Sequence, residues 1–321
     1  TLSGTGLSLN SSTIGASSSG SGDGGNVLIT QNGSVTTSGA GAVGIVAQSV
    51  GGGGGILLTS GLSAGVTPTF SGGTGNGGNV TVNVNAPISI YGAGVYGVIA
   101  QSIGGGGGMV ISESGVVDGS GKGGGEGGLV TVNVNSSIYV NGYTTSNAIV
   151  TSTNGASAYG VYAKSIGTSD PNVTVAQGAS VVAAGGSAAI VLDGLVNQLT
   201  NYGSVIGYNP QIDTAVKVIG AGGVTQITNH ALMSGRLSND GSAITLNNAS
   251  TGRLYLANVP DLGGGVLTNG GYLQFSSLGS TGITSINHTG SFVQTASGVL
   301  GMHLDFSGNQ SDVINTANSS Q

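Results

Sequence analysis

Short stretches of alternating apolar and polar residues recur along the chain and predict β-strands. Residues 80–85 read Val-Thr-Val-Asn-Val-Asn, and residues 130–135 repeat this pattern. A period of two places the valines on one face of a strand and Thr or Asn on the other. Gly44–Ala47 and Gly97–Ala100 are short apolar runs that suit buried strands. Gly, Asn and Ser separate these runs and helix-forming stretches are nearly missing, so the chain is predicted to be all-β.

The strand pattern belongs to a long internal repeat. Residues 24–30 correspond to residues 77–83, and each copy leads to an Ala-Gln-Ser element followed by five glycines. Gln48 and Gln101 mark these two elements, at an offset of 53 residues. A third copy spans residues 127–167 and carries additional residues before its Ala-Lys-Ser element. Self-similarity at a fixed period is the sequence signature of a repeat architecture.

After Gly167 the glycine content falls, but turn asparagines continue to precede strands at Asn201, Asn229, Asn248 and Asn269. Coils of roughly 20 residues can bury their apolar faces only by stacking on their neighbours. This spacing predicts a parallel β-helix with glycine-rich side excursions. A β-sandwich would not show the long repeat, and a propeller would need blades richer in aromatic residues than this chain, in which aromatics are 4%.

Composition and charge exclude further classes. The 321 residues include 66 glycines but only 5 prolines, which argues against collagen. There is no cysteine, so disulfide scaffolds and cysteine-ligated metal sites are excluded. Charged residues are 5% of the chain and the net charge is −6, which leaves no basic surface for a nucleic-acid backbone.

Two parts of the sequence resemble a known family. Residues 47–50 (Ala-Gln-Ser-Val) followed by five glycines resemble a repeat typical of bacterial autotransporter passenger domains. Residues 290–300 and 304–315 are similar to the pertactin-like C-terminal end of such passengers, which caps the β-helix and assists its folding. The resemblance implies a right-handed parallel β-helix, exported across the outer membrane to the cell surface or the extracellular space. It also implies a C-terminal outer-membrane translocator barrel as a partner during export; that barrel is absent from this chain, which would be a cleaved or truncated passenger.

On this basis the chain is divided into three parts. Residues 1–167 are predicted to be a glycine-rich repeat β-helix with long Gly-flanked insertions. Residues 168–263 are predicted to be β-helix coils, and residues 264–321 a C-terminal cap resembling an autochaperone module.

The insertions at residues 51–78 and 104–128 contain apolar segments bounded by glycines. Contiguous exposed apolar surface usually marks a contact. The segments either fold back as extra strands on the flank of the helix or dock on another copy of the chain. The predicted interaction residues are Ile56, Leu57, Leu58, Phe70, Met109, Val110 and Ile111.

The titratable residues give no catalytic pattern. His230, His288 and His303 stand alone in strands or turns, and no nucleophile-elbow motif accompanies them. The acids are scattered, whereas a β-helical polysaccharide lyase needs acids clustered for Ca²⁺ and a basic group beside them. Asp305 and Asp312 flank a turn and are expected to accept bonds from its amides. No catalytic, cofactor or metal site is therefore predicted.

The sequence thus predicts a non-enzymatic structural protein of the bacterial surface or its surroundings. A rigid solenoid would associate with copies of itself into fibres, filaments or a biofilm matrix, and an open N-terminal end would accept another strand. The alternative is an adhesin, in which a monomeric passenger binds a host, glycan or abiotic surface. Ordered homotypic contacts through the insertions would favour the first hypothesis, and a matrix or host ligand the second.

Overall fold

The computed structural model describes most of the chain. The described ranges are 2–4, 13–15, 20–53, 56–59, 69–71, 73–107, 109–112, 115–118, 124–141, 158–167, 169–209, 212–257, 261–276 and 285–318.

The described residues form a stack of coils with three parallel faces. Face 1 is a 10-stranded sheet, and faces 2 and 3 together form one 14-stranded sheet; in all three faces, neighbouring strands come from successive coils. The strands of face 1 are Val27–Gln31, Val80–Val84, Val130–Val134, Pro171–Val175, Val196–Asn201, Val224–Asn229, Ala243–Asn248, Asp261–Asn269, Ser285–Gln294 and Val313–Asn318. They define coils 1 to 10 in this order.

Faces 2 and 3 complete the coils. The strands of face 2 are Val35–Ser38, Ile88–Tyr91, Ile138–Val140, Ser180–Ala183, Ser204–Gly207, Leu232–Asn239, Arg253–Leu256, Tyr272–Gln274 and Val299–Gly301. Those of face 3 are Val43–Val50, Tyr96–Ile103, Tyr159–Ser165, Ala188–Asp193 and Thr214–Ile219. Leu232–Asn239 turns the corner, because it pairs with strands of both faces. The parallel β-helix predicted from the repeats is confirmed.

Further short strands lie beside this solenoid. Four of them form the side sheet, in the order Leu2–Gly4, Ile56–Thr59, Met109–Ser112 and Gly115–Asp118. Thr13–Gly15 pairs with Thr69–Ser71, and Leu304–Asp305 forms an antiparallel pair with Gln310–Ser311. Nowhere among the described residues is there a helix long and apolar enough to cross a membrane.

The alternating segments build the core. Val82, Val132 and Val173 are in register on adjacent coils and are fully buried inside the solenoid. Thr81 and Asn83 alternate with the buried valines and remain partly exposed. Each strand therefore buries one apolar column against the next coil, as the period of two predicts.

The Ala-Gln-Ser element is explained by its position at the end of face 3. Ala100 points into the core, and Gln101 accepts a hydrogen bond from the Gln48 amide across coils, at 3.1 Å. The Ser102 hydroxyl donates to the Gly78 carbonyl and accepts from the Gly128 amide, both at 2.7 Å. Ser102 thereby bonds face 3 to the segments that enter coils 2 and 3. Equivalent bonds are made by Ser49 and Ser165.

The glycine runs are held by other glycines of the same chain. Residues 51–53 and 104–107 lie against the glycine-rich segments that enter the same coil and the following coil, and the Gly105 amide donates to the Gly75 carbonyl at 2.9 Å. A Cβ added at Gly125 would lie 2.0 Å from that same Gly75 oxygen. Glycine is thus required because main chains approach too closely for any side chain.

The turn asparagines form a buried ladder at the corner between faces 1 and 2. The Nδ2 atom of Asn201 donates to Oδ1 of Asn229 at 2.8 Å, and Asn229 donates in turn to Asn248 at 2.9 Å. Asn248 donates to Asn269 at 2.8 Å, and Asn269 donates to Gln294 at 3.0 Å. The ladder satisfies amides that burial would otherwise penalise, and it fixes the register of coils 5 to 9.

Candidate functional site

The side sheet brings most of the predicted interaction residues together within the chain. Ile56, Leu57 and Leu58 pair in parallel with Met109, Val110 and Ile111, in that order. Phe70 lies in the separate strand Thr69–Ser71, opposite Ile14. The insertions therefore form extra strands beside the helix, as the first of the two sequence-based interpretations expects. Contact of these residues with another molecule stays a prediction.

Met109 connects the side sheet to the outer surface of face 3. It is fully buried in a small cluster with Tyr96 and Ile99, separate from the main core. The rings of Tyr96 and Tyr159 meet edge to face, with centroids 5.1 Å apart, and Tyr162 stacks on Tyr159 at 6.1 Å. These side chains attach the insertions to the rod through apolar packing.

An ion pair lies beside this tyrosine cluster. The Lys164 ammonium is 3.0 Å from the Asp193 carboxylate, which also accepts a 2.7 Å bond from the Tyr162 hydroxyl. Lys164 and Asp193 follow Gln101 in the same cross-coil column. Lys164 and Asp193 thus occupy in coils 3 and 4 the column that Gln48 and Gln101 occupy in coils 1 and 2. The ion pair therefore has a structural role.

A groove on the outer side of the corner between faces 1 and 2 is the candidate site. It runs across coils 4 to 7 and encloses about 620 Å³. Its centre is Tyr202, whose ring is stacked on the His230 imidazole with centroids 4.6 Å apart and planes inclined by 11°. Tyr202 is 47% exposed. The lining residues are Thr174, Ala176, Gln177, Tyr202, His230, Ala231 and Thr251.

The asparagine ladder positions this stack. Tyr202 directly follows Asn201, and His230 directly follows Asn229. The Tyr202 amide donates to the Val175 carbonyl and the His230 amide to the Asn201 carbonyl, both at 2.8 Å. Because the main chains repeat at one coil spacing, the two side chains project from equivalent turn positions and their rings meet.

The polar groups of the groove keep their hydrogen-bonding capacity. Within the described part of the chain, the side chains of Gln177, Tyr202 and His230 make no hydrogen bond to protein. The Thr251 hydroxyl donates to the His230 carbonyl at 2.7 Å and keeps its acceptor lone pairs. This differs from the buried ladder, where the amides are bonded to one another, and it leaves the groove able to bind a polar ligand.

The titratable groups elsewhere stabilise turns. The Asp305 carboxylate accepts bonds from the Ser307 hydroxyl and the Gly308 amide, and these bonds hold the pKa of Asp305 below its ordinary value. Asp312 accepts from the His303 amide at 2.7 Å, and its Oδ2 lies 3.0 Å from Nδ1 of His303. The prediction that the acids bond turn amides is confirmed for Asp305, whereas Asp312 bonds the amide of His303, which precedes the strand Leu304–Asp305 and lies outside the turn. Among the described residues, no group of three or more His, Asp or Glu side chains is arranged to hold a metal ion.

Asp213 is the most deeply buried acid of the described part. Its carboxylate accepts the amides of Gly186 at 2.6 Å, Ser187 at 3.0 Å and Asn209 at 2.7 Å. Burial raises the pKa of Asp213 above its ordinary value, although these amide bonds oppose the shift. The residue joins the turns that precede the face-3 strands of coils 4 and 5.

The described residues form an all-β parallel solenoid that carries an outward-facing groove lined by polar and aromatic side chains. No family model, curated protein or solved structure matches the chain. The likeness to autotransporter passengers therefore rests on residues 47–50 and on the C-terminal motif alone.

The groove was not predicted from the sequence. Tyr202 and His230 belong to coils of different composition, and no repeated motif contains both. Their common position relative to the turn asparagines could have indicated the groove, because Tyr202 and His230 each follow a ladder asparagine by one residue. Side chains at equal offsets from a ladder occupy the same column of the solenoid.

Proposed function

We propose that this chain is a non-enzymatic structural passenger of the bacterial surface or its surroundings. It is exported across the outer membrane and associates with its own copies through the side sheet. The rod provides length and rigidity, and the side sheet provides the contact. Export and location rest on the sequence resemblance, and self-association rests on the topology of the side sheet.

The observation that carries the proposal is the outer edge of the side sheet. Gly115–Asp118 pairs with Met109–Ser112 and, among the described strands, has no neighbour on its other side. Unpaired main-chain amides and carbonyls of an edge strand are a template for a strand from another chain. The sequence of this strand, Gly-Val-Val-Asp, contains no lysine or proline that would block such pairing.

Sedimentation velocity across concentration tests this proposal. Wild type is expected to form large species as concentration rises. Val116→Lys and Val117→Lys, made separately, each add a positive charge to the edge strand and are expected to shift assembly to higher concentration. Val224→Lys is the matched control, because Val224 is an exposed valine on a face-1 strand that is paired on both sides. Equal assembly by all four proteins would overturn association through the Gly115–Asp118 edge, and a strictly monomeric wild type would overturn self-association itself.

The second candidate is an adhesin, and the groove around Tyr202 is the observation that favours it. In that case the rod stays monomeric and displays the groove to a ligand. The sedimentation experiment separates the two, because an adhesin of this kind assembles at no concentration.

A further inference from the structure

The groove across coils 4 to 7 combines a flat aromatic pair with polar groups that make no hydrogen bond to the described part of the protein. Tyr202 presents its ring beside His230, and Gln177 and Thr251 lie on the flanking coils. Four strands at about 4.8 Å spacing span about 14 Å, so the groove is long enough for a short linear chain rather than a single small molecule.

The charge of the lining selects among ligand classes. None of the seven lining residues is Asp, Glu, Lys or Arg. An anionic ligand would need a strongly basic partner such as Lys or Arg, which this lining lacks, and burying an unpaired charge is costly; the one basic group, the His230 imidazole, has a ring face covered by Tyr202. A neutral ligand with many hydroxyl groups meets the amide of Gln177 and the hydroxyls of Thr174 and Thr251 without that penalty.

The aromatic pair narrows the ligand class further. A pyranose ring has an apolar face of C–H groups and a rim of hydroxyls, so it matches an aromatic ring flanked by neutral donors and acceptors. We propose that this groove binds a neutral oligosaccharide, with one pyranose ring stacked on the face of Tyr202 opposite His230 and the hydroxyls of this and neighbouring sugars bonded by Gln177, His230 and Thr251. This inference gives the adhesive alternative a ligand class, and it does not depend on self-association.

Pre-organisation supports the proposal. The ladder asparagines before Tyr202 and His230 are buried and bonded, so the platform is fixed before a ligand arrives. The two rings also stack on each other, which limits rotation of Tyr202. A ligand then loses little binding energy to ordering the site.

The experiment is isothermal titration calorimetry of the full chain with three neutral probes: cellohexaose, maltohexaose and N-acetylchitohexaose. A hexamer of galacturonic acid is the charged comparison. At least one neutral probe is expected to bind saturably. Tyr202→Ala is expected to weaken that binding about tenfold or more, and Tyr202→Phe by less than about threefold.

Tyr208→Ala is the matched control, since Tyr208 is a 42% exposed tyrosine of the next turn of the same coil, outside the groove. It should bind like wild type. Ala231→Glu is a second test that fills the groove and adds a charge, and it should abolish binding. Thermal unfolding establishes that each variant is folded.

The proposal is overturned if none of the three neutral probes binds saturably, or if the galacturonic acid hexamer binds as tightly as the best of them. It is also overturned if Tyr208→Ala weakens binding as much as Tyr202→Ala. The groove variants should sediment like wild type. Failure of the oligosaccharide-binding proposal can therefore be told apart from failure of self-association.

Discussion

Asn229 and Asn248 are 19 residues apart in the sequence, and a 2.9 Å hydrogen bond joins their side chains across adjacent coils. Both amides are fully buried, and each also bonds a neighbouring carbonyl or ladder partner. The register of the solenoid is therefore specified by polar bonds at the corner as well as by apolar packing in the core. That register also aligns the aromatic pair of the groove.

Asn229→Ala is expected to lower the free energy of unfolding by about 2–3 kcal/mol, because it leaves the Asn201 and Asn248 amides with one buried bond fewer. The measurement is chemical denaturation. Asn85→Ala is the control: Asn85 lies in an exposed ladder with Asn32 and Asn135, where water replaces the lost bonds, so a change within about 0.5 kcal/mol is expected. Equal losses of unfolding free energy in the two variants would contradict a larger stabilising role for the buried ladder than for the exposed one.

Gly125→Ala is expected to destabilise the chain by about 1–3 kcal/mol, since the new Cβ would lie 2.0 Å from the Gly75 oxygen. Gly124→Ala is the matched control, because a Cβ there meets no atom within 4 Å. Neither glycine has a positive φ, so the two substitutions differ in space and not in backbone strain. Similar midpoints of thermal unfolding for both variants would show that the glycine segments are not tightly stacked.

Asp213 should make stability fall as pH rises. Its native pKa is raised above the ordinary value of 3.8, so the folded chain holds this proton more tightly than the unfolded chain. The stabilisation is complete below the unfolded pKa and is lost as pH rises through the raised native pKa. The stability of wild type relative to Asp213→Asn, which cannot titrate, should therefore decrease over this window in denaturation experiments. A difference that stays constant or grows with pH would be inconsistent with the shift.

Much of the fold could be predicted from the sequence. The 53-residue offset between Gln48 and Gln101 is the register observed on face 3, and the third copy follows it despite its additional residues, since Ala100 pairs with Ala163. The four turn asparagines also precede strands as predicted, since each ends a face-1 strand shortly before a face-2 strand begins. These features are repeated, and a solenoid converts sequence repetition directly into stacking.

The remaining features depend on contacts that are not repeated. Among the described strands, the pairing of Gly115–Asp118 with Met109–Ser112 has no counterpart in another coil, so no periodicity indicates it. The ion pair of Lys164 with Asp193 and the stack of Tyr202 on His230 each require knowledge of the length of the intervening coil. Coil lengths vary after residue 167, and cross-coil partners in that region become visible only in three dimensions.

Hydrogen exchange at the amides of Gly115–Asp118 tests the central claim most directly. The account predicts slow exchange in concentrated, assembled protein and faster exchange on dilution, because a strand from another copy protects the free edge. Core amides of Val130–Val134 provide the reference, since their protection should be the same at both concentrations. Exchange at residues 115–118 that does not change with concentration while large species form would contradict association through this edge.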